Sequence, residues 1–262
     1  MKAFLALLVA VTSLSSTQAA LLDTLKSALT ATNTLGTNSV LSSAAAGNLS
    51  QDQIVAGLKE ALGKGVERAV SSLGQTNGFM TNMNVHISMP GKLAKVETVL
   101  RTAGQGHLVD DFVGSMNHAA EQAVPVAASV FADSIKQMSI ADAQSILSGT
   151  NDAATQYFRR TTQTNLQGKF YPIVQKATDQ VGVTAQYKAM MGKFTALDTV
   201  GSLLGGKSKL NLSTGDIDSY VTDKAMDGLF KMVAEEEKNI RANPIARTTD
   251  LLQQVFGSAT KK

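Results

Sequence analysis

SQDQIVAGLKEALGKGVERAVSSLG, residues 50–74, decides the fold class. Ser50 and Gln53 stand three apart, the spacing of a capping box, in which a serine hydroxyl and a glutamine side chain each satisfy the other's backbone amide. Ile54, Leu58, Ala61, Leu62, Val66, Ala69, Val70 and Leu73 then recur at helical intervals, so that one face of a long helix is apolar and the other polar. Gly74 to Asn77 ends it. A helix of this kind must bury its apolar face, and the rest of the chain supplies the helices to bury it against.

Downstream, Pro90 opens a pattern through Leu93, Val96, Leu100 and Ala103, stopped by Gly104 and Gly106. A longer one carries Leu108, Phe112, Met116, Ala119, Ala120 and Ala123, and at Pro125 it kinks or gives way to a new helix with Val130, Phe131, Ile135 and Met138. Ser139 and Asp142 have N-cap spacing ahead of Ile146 and Leu147. Further helices are predicted over 152–166, 172–181, 184–197, 217–241 and 244–256, with a break over 201–209. Two short alternating pieces, 84–88 and 209–213, have the pattern of a minor two-stranded ribbon. The expectation is an all-α protein: one multi-helix domain of about eight helices over residues 50–257, ending in a frayed tail at 258–262.

Upstream of Ser50 the composition changes. Residues 20–49 are rich in Thr, Ser, Ala, Asn and Gly and read as a flexible leader. Before them, Met1 and Lys2 give a positive start, Ala3 to Leu14 is almost wholly apolar, and Ser15 to Ala20 supplies the small residues. That is the layout of a cleavable signal peptide over residues 1–19. Its apolar run is too short to span a bilayer core of about 30 Å. The expected location is therefore secreted: extracellular, or periplasmic in a Gram-negative source.

The sequence contains no cysteine, which removes thiol catalysis, disulfide staples, thiolate metal sites and a lipid-anchored start. A mature chain of about 240 residues can build a sufficient core without staples. The formal charge is +3 with basic residues dispersed, so a nucleic-acid partner is not expected. No later segment is long and apolar enough to span a membrane, and the expected domain is soluble. Few aromatics and no Trp argue against sugar stacking.

Several runs carry a family likeness. Gly57-Leu-Lys-Glu-Ala-Leu, Gly65-Val-Glu-Arg-Ala-Val, Ser115-Met-Asn-His-Ala-Ala-Glu, Asp152-Ala-Ala-Thr-Gln-Tyr-Phe-Arg, Tyr220-Val-Thr, Lys224-Ala-Met-Asp-Gly-Leu-Phe, Ala234-Glu-Glu-Glu-Lys and Ala246-Arg-Thr-Thr-Asp-Leu-Leu resemble domain-of-unknown-function family 4197. The resemblance runs in order from about Ser50 to Gly257. It implies an exported, helical, mostly bacterial protein without an established activity, and it offers no catalytic residue to carry over. The Ser/Thr/Ala-rich leader and the stretch around Gly201 to Lys207 depart from it.

Gly201-Ser-Leu-Leu-Gly-Gly206-Lys207-Ser208 spells a phosphate loop. A phosphate loop needs a buried strand before it and a helix starting at its lysine. Here a helical pattern precedes it and an extended, turn-like stretch follows, so it reads as an ordinary loop. His118 and Glu121 lie three apart, with Asp111 two turns earlier, but a di-metal bundle needs paired Glu-x-x-His sets, and a structural or solvated His118 is expected. No metal or other cofactor and no catalytic residue is assigned. No Gly-x-Ser-x-Gly elbow is present to anchor a hydrolase triad. Asn48 and Asn211 begin Asn-x-Ser sequons, glycan acceptors only in a eukaryotic source.

The polar set with most to say lies on two predicted helices. Ala154 and Phe158 continue onto Thr161 and Asn165, while Ala225, Leu229 and Met232 continue onto Glu236 before Ile240. A carboxylate at a core-facing position must be paired. Arg159, Arg160, Arg241 and Arg247 are available partners, Asp152 and Asp250 fall near helix starts, and Tyr157 adds a hydroxyl. An interhelical ion-pair network is expected, with a pocket for a polar or anionic ligand as the alternative. The function expected is that of an exported non-catalytic protein that binds a partner or ligand, or joins an extracellular or envelope assembly; self-association is compatible with it. The rival readings are a hydrolytic or transfer enzyme with a carboxylate, Arg and Tyr site, and a carrier of a hydrophobic ligand between helices.

Overall fold

The computed structural model describes residues 50–202 and 214–242. They hold eight α-helices: α1 (Gln51–Gly74), α2 (Ala94–Thr102), α3 (Gly106–Ala123), α4 (Ala127–Gln137), α5 (Ile140–Ser148), α6 (Ala153–Gln180), α7 (Val183–Ser202) and α8 (Thr214–Ala242). Short 3-10 turns at Gly91–Leu93 and Val124–Val126 lead into α2 and α4. The fold is all-α.

Both caps expected from the sequence are present. Ser50 Oγ accepts from the Gln53 amide at 3.2 Å while Gln53 Oε1 accepts from the Ser50 amide at 2.9 Å. Ser139 and Asp142 exchange the same pair of bonds at the start of α5. At Pro125 the chain neither kinks nor continues: the 3-10 turn absorbs the proline, and α4 starts afresh at Ala127.

Pro172 behaves differently from expectation. The patterns over 152–166 and 172–181 are one helix, α6, with Pro172 inside it. Proline removes the bond to the carbonyl four residues back. Here that carbonyl belongs to Gly168, and both residues are exposed, so the freed group faces solvent instead of being buried without a partner.

The core is built on α3, α6 and α8. Phe158, Thr162, Leu166, Phe170 and Val174 form a stripe at four-residue spacing along the buried face of α6. α6 and α8 run antiparallel, as contacts at both ends show: Ala154 meets Glu237, and Thr178 meets Asp218. Phe131 of α4 packs edge-on to Phe158 at 4.9 Å and to Phe230 of α8 at 6.0 Å between ring centroids. Such pairs add about 0.5–1.5 kcal/mol beyond the area they bury. α1 lays Leu58, Ala61, Leu62, Val66, Ala69 and Val70 into this core and contacts α8, α4 and α5. A Cβ at Gly65 would lie 3.4 Å from Ile240 Cδ1, so α1 and α8 approach closely there.

No strand is present among the described residues. Residues 84–88, half of the expected ribbon, form the end of a turn and then irregular backbone, while 209–213 lie outside the described residues. Their pairing is taken over by a side chain: Asn117 Oδ1 accepts from the Ile87 amide at 2.9 Å, and Asn117 Nδ2 donates to the Ile87 carbonyl at 2.8 Å. The connection from α1 to α2 is further held by Phe79, Val85 and Ile87, all buried. Gly228 makes room for it, since a Cβ there would come within 2.8 Å of Phe79 Cε1. The expected signal peptide over 1–19, the expected leader over 20–49, the helix expected over 244–256 and the expected tail all lie outside the described residues, as do Asn48 and Asn211.

Candidate functional site

Of the polar residues singled out by the sequence, Asp152 and Arg241 come together at the turn between α5 and α6, where the last turn of α8 crosses. The buried carboxylate there is Glu237, one residue beyond the expected Glu236. Its side chain is 4% exposed. Glu237 Oε1 accepts from the Ala154 amide at 2.9 Å and from Arg241 Nε and Nη2 at 3.1 and 2.9 Å. Oε2 accepts from the Thr155 amide and the Thr155 hydroxyl, both at 2.9 Å. A carboxylate has about four lone-pair sites, and these are taken.

The placement follows from how helices end. The first amides of α6 have no partner in their own helix, and a negative charge at a helix start is favoured by the helix dipole. Asp152 occupies the N-cap position but makes no cap bond. It is instead held by Thr150 Oγ1 at 2.6 Å and by Gln156 Nε2 at 3.1 Å. Those two bonds, with Arg241 as a lesser influence, set its carboxyl below the usual range. The cap of α6 therefore comes from α8. Arg241 completes the arrangement by donating from Nη2 to the Ile146 carbonyl in the last turn of α5, at 2.7 Å. One i,i+4 pair thus places its anion on the start of α6 and its cation on the end of α5.

The other candidates separate into local contacts. Tyr157 donates its hydroxyl hydrogen to the Ser134 carbonyl at 2.9 Å. Arg159 lies over the Phe230 ring, 4.5 Å from its centroid, with Asp227 at 3.7 Å. Arg160 reaches Asp142 at 3.3 Å and lies over the Tyr157 ring. Thr161 and Asn165 do not continue the buried stripe; both are exposed, and Thr162 and Leu166 take the buried track instead. Thr161 Oγ1 does meet Ser134 Oγ at 2.8 Å. Glu236 faces α1, its Oε2 3.5 Å from Arg68 Nη1 and outside hydrogen-bonding geometry. Arg247 and Asp250 lie outside the described residues.

Beside Glu237 there is a cavity of about 10 Å³, lined by Leu58, Leu62, Ile146, Ala154, Ile240 and Arg241 among others. That is room for one water at most, and its walls are chiefly apolar.

The second carboxylate of interest, Glu121, is likewise committed to backbone. Its Oε1 accepts from the Phe79 amide at 3.2 Å, and Oε2 meets His118 Nδ1 at 2.9 Å. His118 and Glu121 thus tie α3 to the α1–α2 connection, and Asp111 is exposed. Among the described residues no group of three His, Asp or Glu side chains is placed to hold a metal ion. His107 sits in the first turn of α3. Gly201, the first glycine of the phosphate-loop spelling, is still helical in α7, and 203–208 lie outside the described residues. No helix among the described residues is long and apolar enough to cross a membrane.

Sequence reasoning missed Glu237 and Asn117, and it weighed Glu121 only as a metal-ligand candidate beside His118, not as the acceptor of the Phe79 amide. Three consecutive glutamates, Glu235 to Glu237, left the register of α8 ambiguous, since each step turns the helix about 100°. The signal that separates them is the buried track Met226, Phe230, Val233, Glu237, which leads into Arg241 one turn later. Asn117 was visible as an amide within the apolar run Phe112, Met116, Ala120.

An all-helical domain with its interior polar groups tied to helix ends is the class these features define. The chain matches the family described as a protein of unknown function (DUF4197) over residues 48–257, and it belongs to that family. No curated protein and no solved structure matches it.

Proposed function

We propose that this is an exported, non-catalytic helical protein that acts by binding a partner at its surface, with the polar set around Glu237 serving the fold. One observation carries the reading: both Glu237 oxygens are occupied by donors from α6 and α8, and the adjoining space admits no more than a water. A substrate or anionic ligand would have to displace bonds that hold helix termini. Asp152, Tyr157, Arg159, Arg160 and Arg241 are likewise engaged with neighbouring helices, turns or rings. With interior groups so committed, recognition falls to the surface. Export rests on the charged start, the short apolar run and the small-residue junction within residues 1–20.

Native mass spectrometry of the protein purified without denaturation tests this reading. The expected spectrum shows the polypeptide alone or protein–protein assemblies, with the amino terminus beginning near residue 20. A stoichiometric small-molecule adduct, retained by wild type and lost in Glu237→Gln, would contradict it.

A further inference from the structure

Met83 is 89% exposed, far more than any other methionine within the described residues. Met116 and Met190 are fully buried, Met138, Met226 and Met232 are buried, and Met80, Met89 and Met191 are partly covered. A large apolar side chain at that exposure contributes nothing to the core. Its backbone, in contrast, is held tightly. Asn82 Oδ1 accepts from the Asn84 amide at 3.0 Å, and the Asn82 carbonyl accepts from the Val85 and His86 amides at 3.0 and 2.9 Å. On either side the turn is fastened to α8: Asn82 Nδ2 donates to Met232 Sδ at 3.3 Å, Asn84 Nδ2 to Glu235 Oε1 at 3.2 Å, and Lys231 Nζ to the Asn84 carbonyl at 2.8 Å. The turn therefore presents one thioether to solvent on a fixed base.

We propose that Met83 is the protein's oxidation site, taking up one oxygen from a peroxide ahead of the other described methionines and doing so without unfolding the chain. In the step, the thioether sulfur attacks one oxygen of hydrogen peroxide and forms the S–O bond as the O–O bond breaks. The departing hydroxide takes the proton from the transferred oxygen and leaves as water. Sulfur loses two electrons and the peroxide gains them. Access decides the order, because thioethers have no thiolate to activate and differ chiefly in exposure. The sulfoxide dipole at Met83 points into water, whereas at Met116 or Met190 it would enter the core. Accessibility also makes Met83 sulfoxide open to enzymatic reduction.

Graded hydrogen peroxide on the purified full chain, read by intact mass and peptide mapping, tests the proposal. The expected result is a first oxygen on Met83, added about tenfold faster than on any other described methionine. The singly oxidised protein should keep the unfolding temperature of the untreated one, and methionine sulfoxide reductases should restore its mass. In Met83→Leu the fast phase should vanish with unfolding temperature unchanged. A first oxygen on Met80, Met89 or Met191, or a fast phase that persists in Met83→Leu, would overturn the assignment. So would a fall in unfolding temperature on uptake of the first oxygen.

Discussion

Glu237 and Arg241, one turn apart on α8, divide two helix ends between them: the carboxylate accepts the Ala154 and Thr155 amides at the start of α6, and the guanidinium donates to the Ile146 carbonyl at the end of α5. Each charge meets the helix terminus of opposite sign, and the pair is bonded to itself at 2.9 Å. Three helices are joined at one point, so the clamp fixes the register of α8 along α6.

Removing the anion leaves Arg241 and two first-turn amides without their acceptor. Glu237→Ala should cost about 3–5 kcal/mol, the range for breaking a buried pair. Glu237→Gln keeps one acceptor oxygen but brings a donor amide up against donors, and should cost about 1–3 kcal/mol. Denaturant unfolding measures both, and a change below the Gln range in both variants would show that the clamp carries no stability.

Glycine to alanine inside a helix ordinarily stabilises by about 0.5–1 kcal/mol. At Gly228 the sign should reverse. The added methyl would meet Phe79 Cε1 at 2.8 Å and Val85 Cβ at 3.2 Å, both on the buried α1–α2 connection. Gly228→Ala should lower stability by about 1–3 kcal/mol, the cost of overpacking. A rise in unfolding temperature would mean the connection yields freely.

Asn117 stands in for a strand partner of Ile87, and it also donates to the Val113 carbonyl at 2.8 Å. Asn117→Asp keeps the shape but removes the donor and sets a buried charge against two carbonyls. Amide exchange should speed up at Ile87 and through residues 84–88, while α6 keeps its protection. Uniform loss of protection across all helices would instead mark Asn117 as part of the global core alone.

Asp218 makes the stability of the fold depend on pH. Burial is the main cause that raises its carboxyl above the ordinary 3.8, with Asp179 adding to it and the Thr178 bond opposing. Thr178 Oγ1 lies 2.7 Å from Asp218 Oδ1 and 2.9 Å from the Gln175 carbonyl, and its one hydrogen cannot serve both. A protonated Asp218 donates to Thr178 and frees that hydrogen for Gln175. The folded state therefore binds the proton more tightly than the unfolded one, and stability falls as pH rises from the unfolded value through the folded one. Asp218→Asn, which donates at every pH, should unfold at a higher temperature than wild type at pH 7. The gap should shrink as pH is lowered below the unfolded value. Thermal unfolding of both proteins across that range decides it, and a gap independent of pH would contradict it.

The helices were legible because their signals are local. Ser50 with Gln53 and Ser139 with Asp142 form their caps within four residues, and the apolar faces of α1, α3 and α8 follow from spacing. Pro172 misled because its cost depends on which way it faces, and its outward position is set by the packing of α6. The spacing favours Glu236 over Glu237 for a related reason: a register error of one residue turns a side chain from the α6 junction toward α1. The Asn117 clamp depends on a contact between residues thirty apart in sequence, which no periodicity encodes.

The clamp itself is tested most directly by amide exchange at Ala154 and Thr155, followed by NMR in wild type and in Glu237→Gln. First-turn helix amides ordinarily exchange fast because nothing in their own helix accepts from them. The structure predicts that in wild type these two are protected to the level of the α6 interior, and that Glu237→Gln exposes them while the interior of α6 stays protected. Rapid exchange at both amides in the wild-type protein would contradict the cap from α8, and with it the view that Glu237 belongs to the fold.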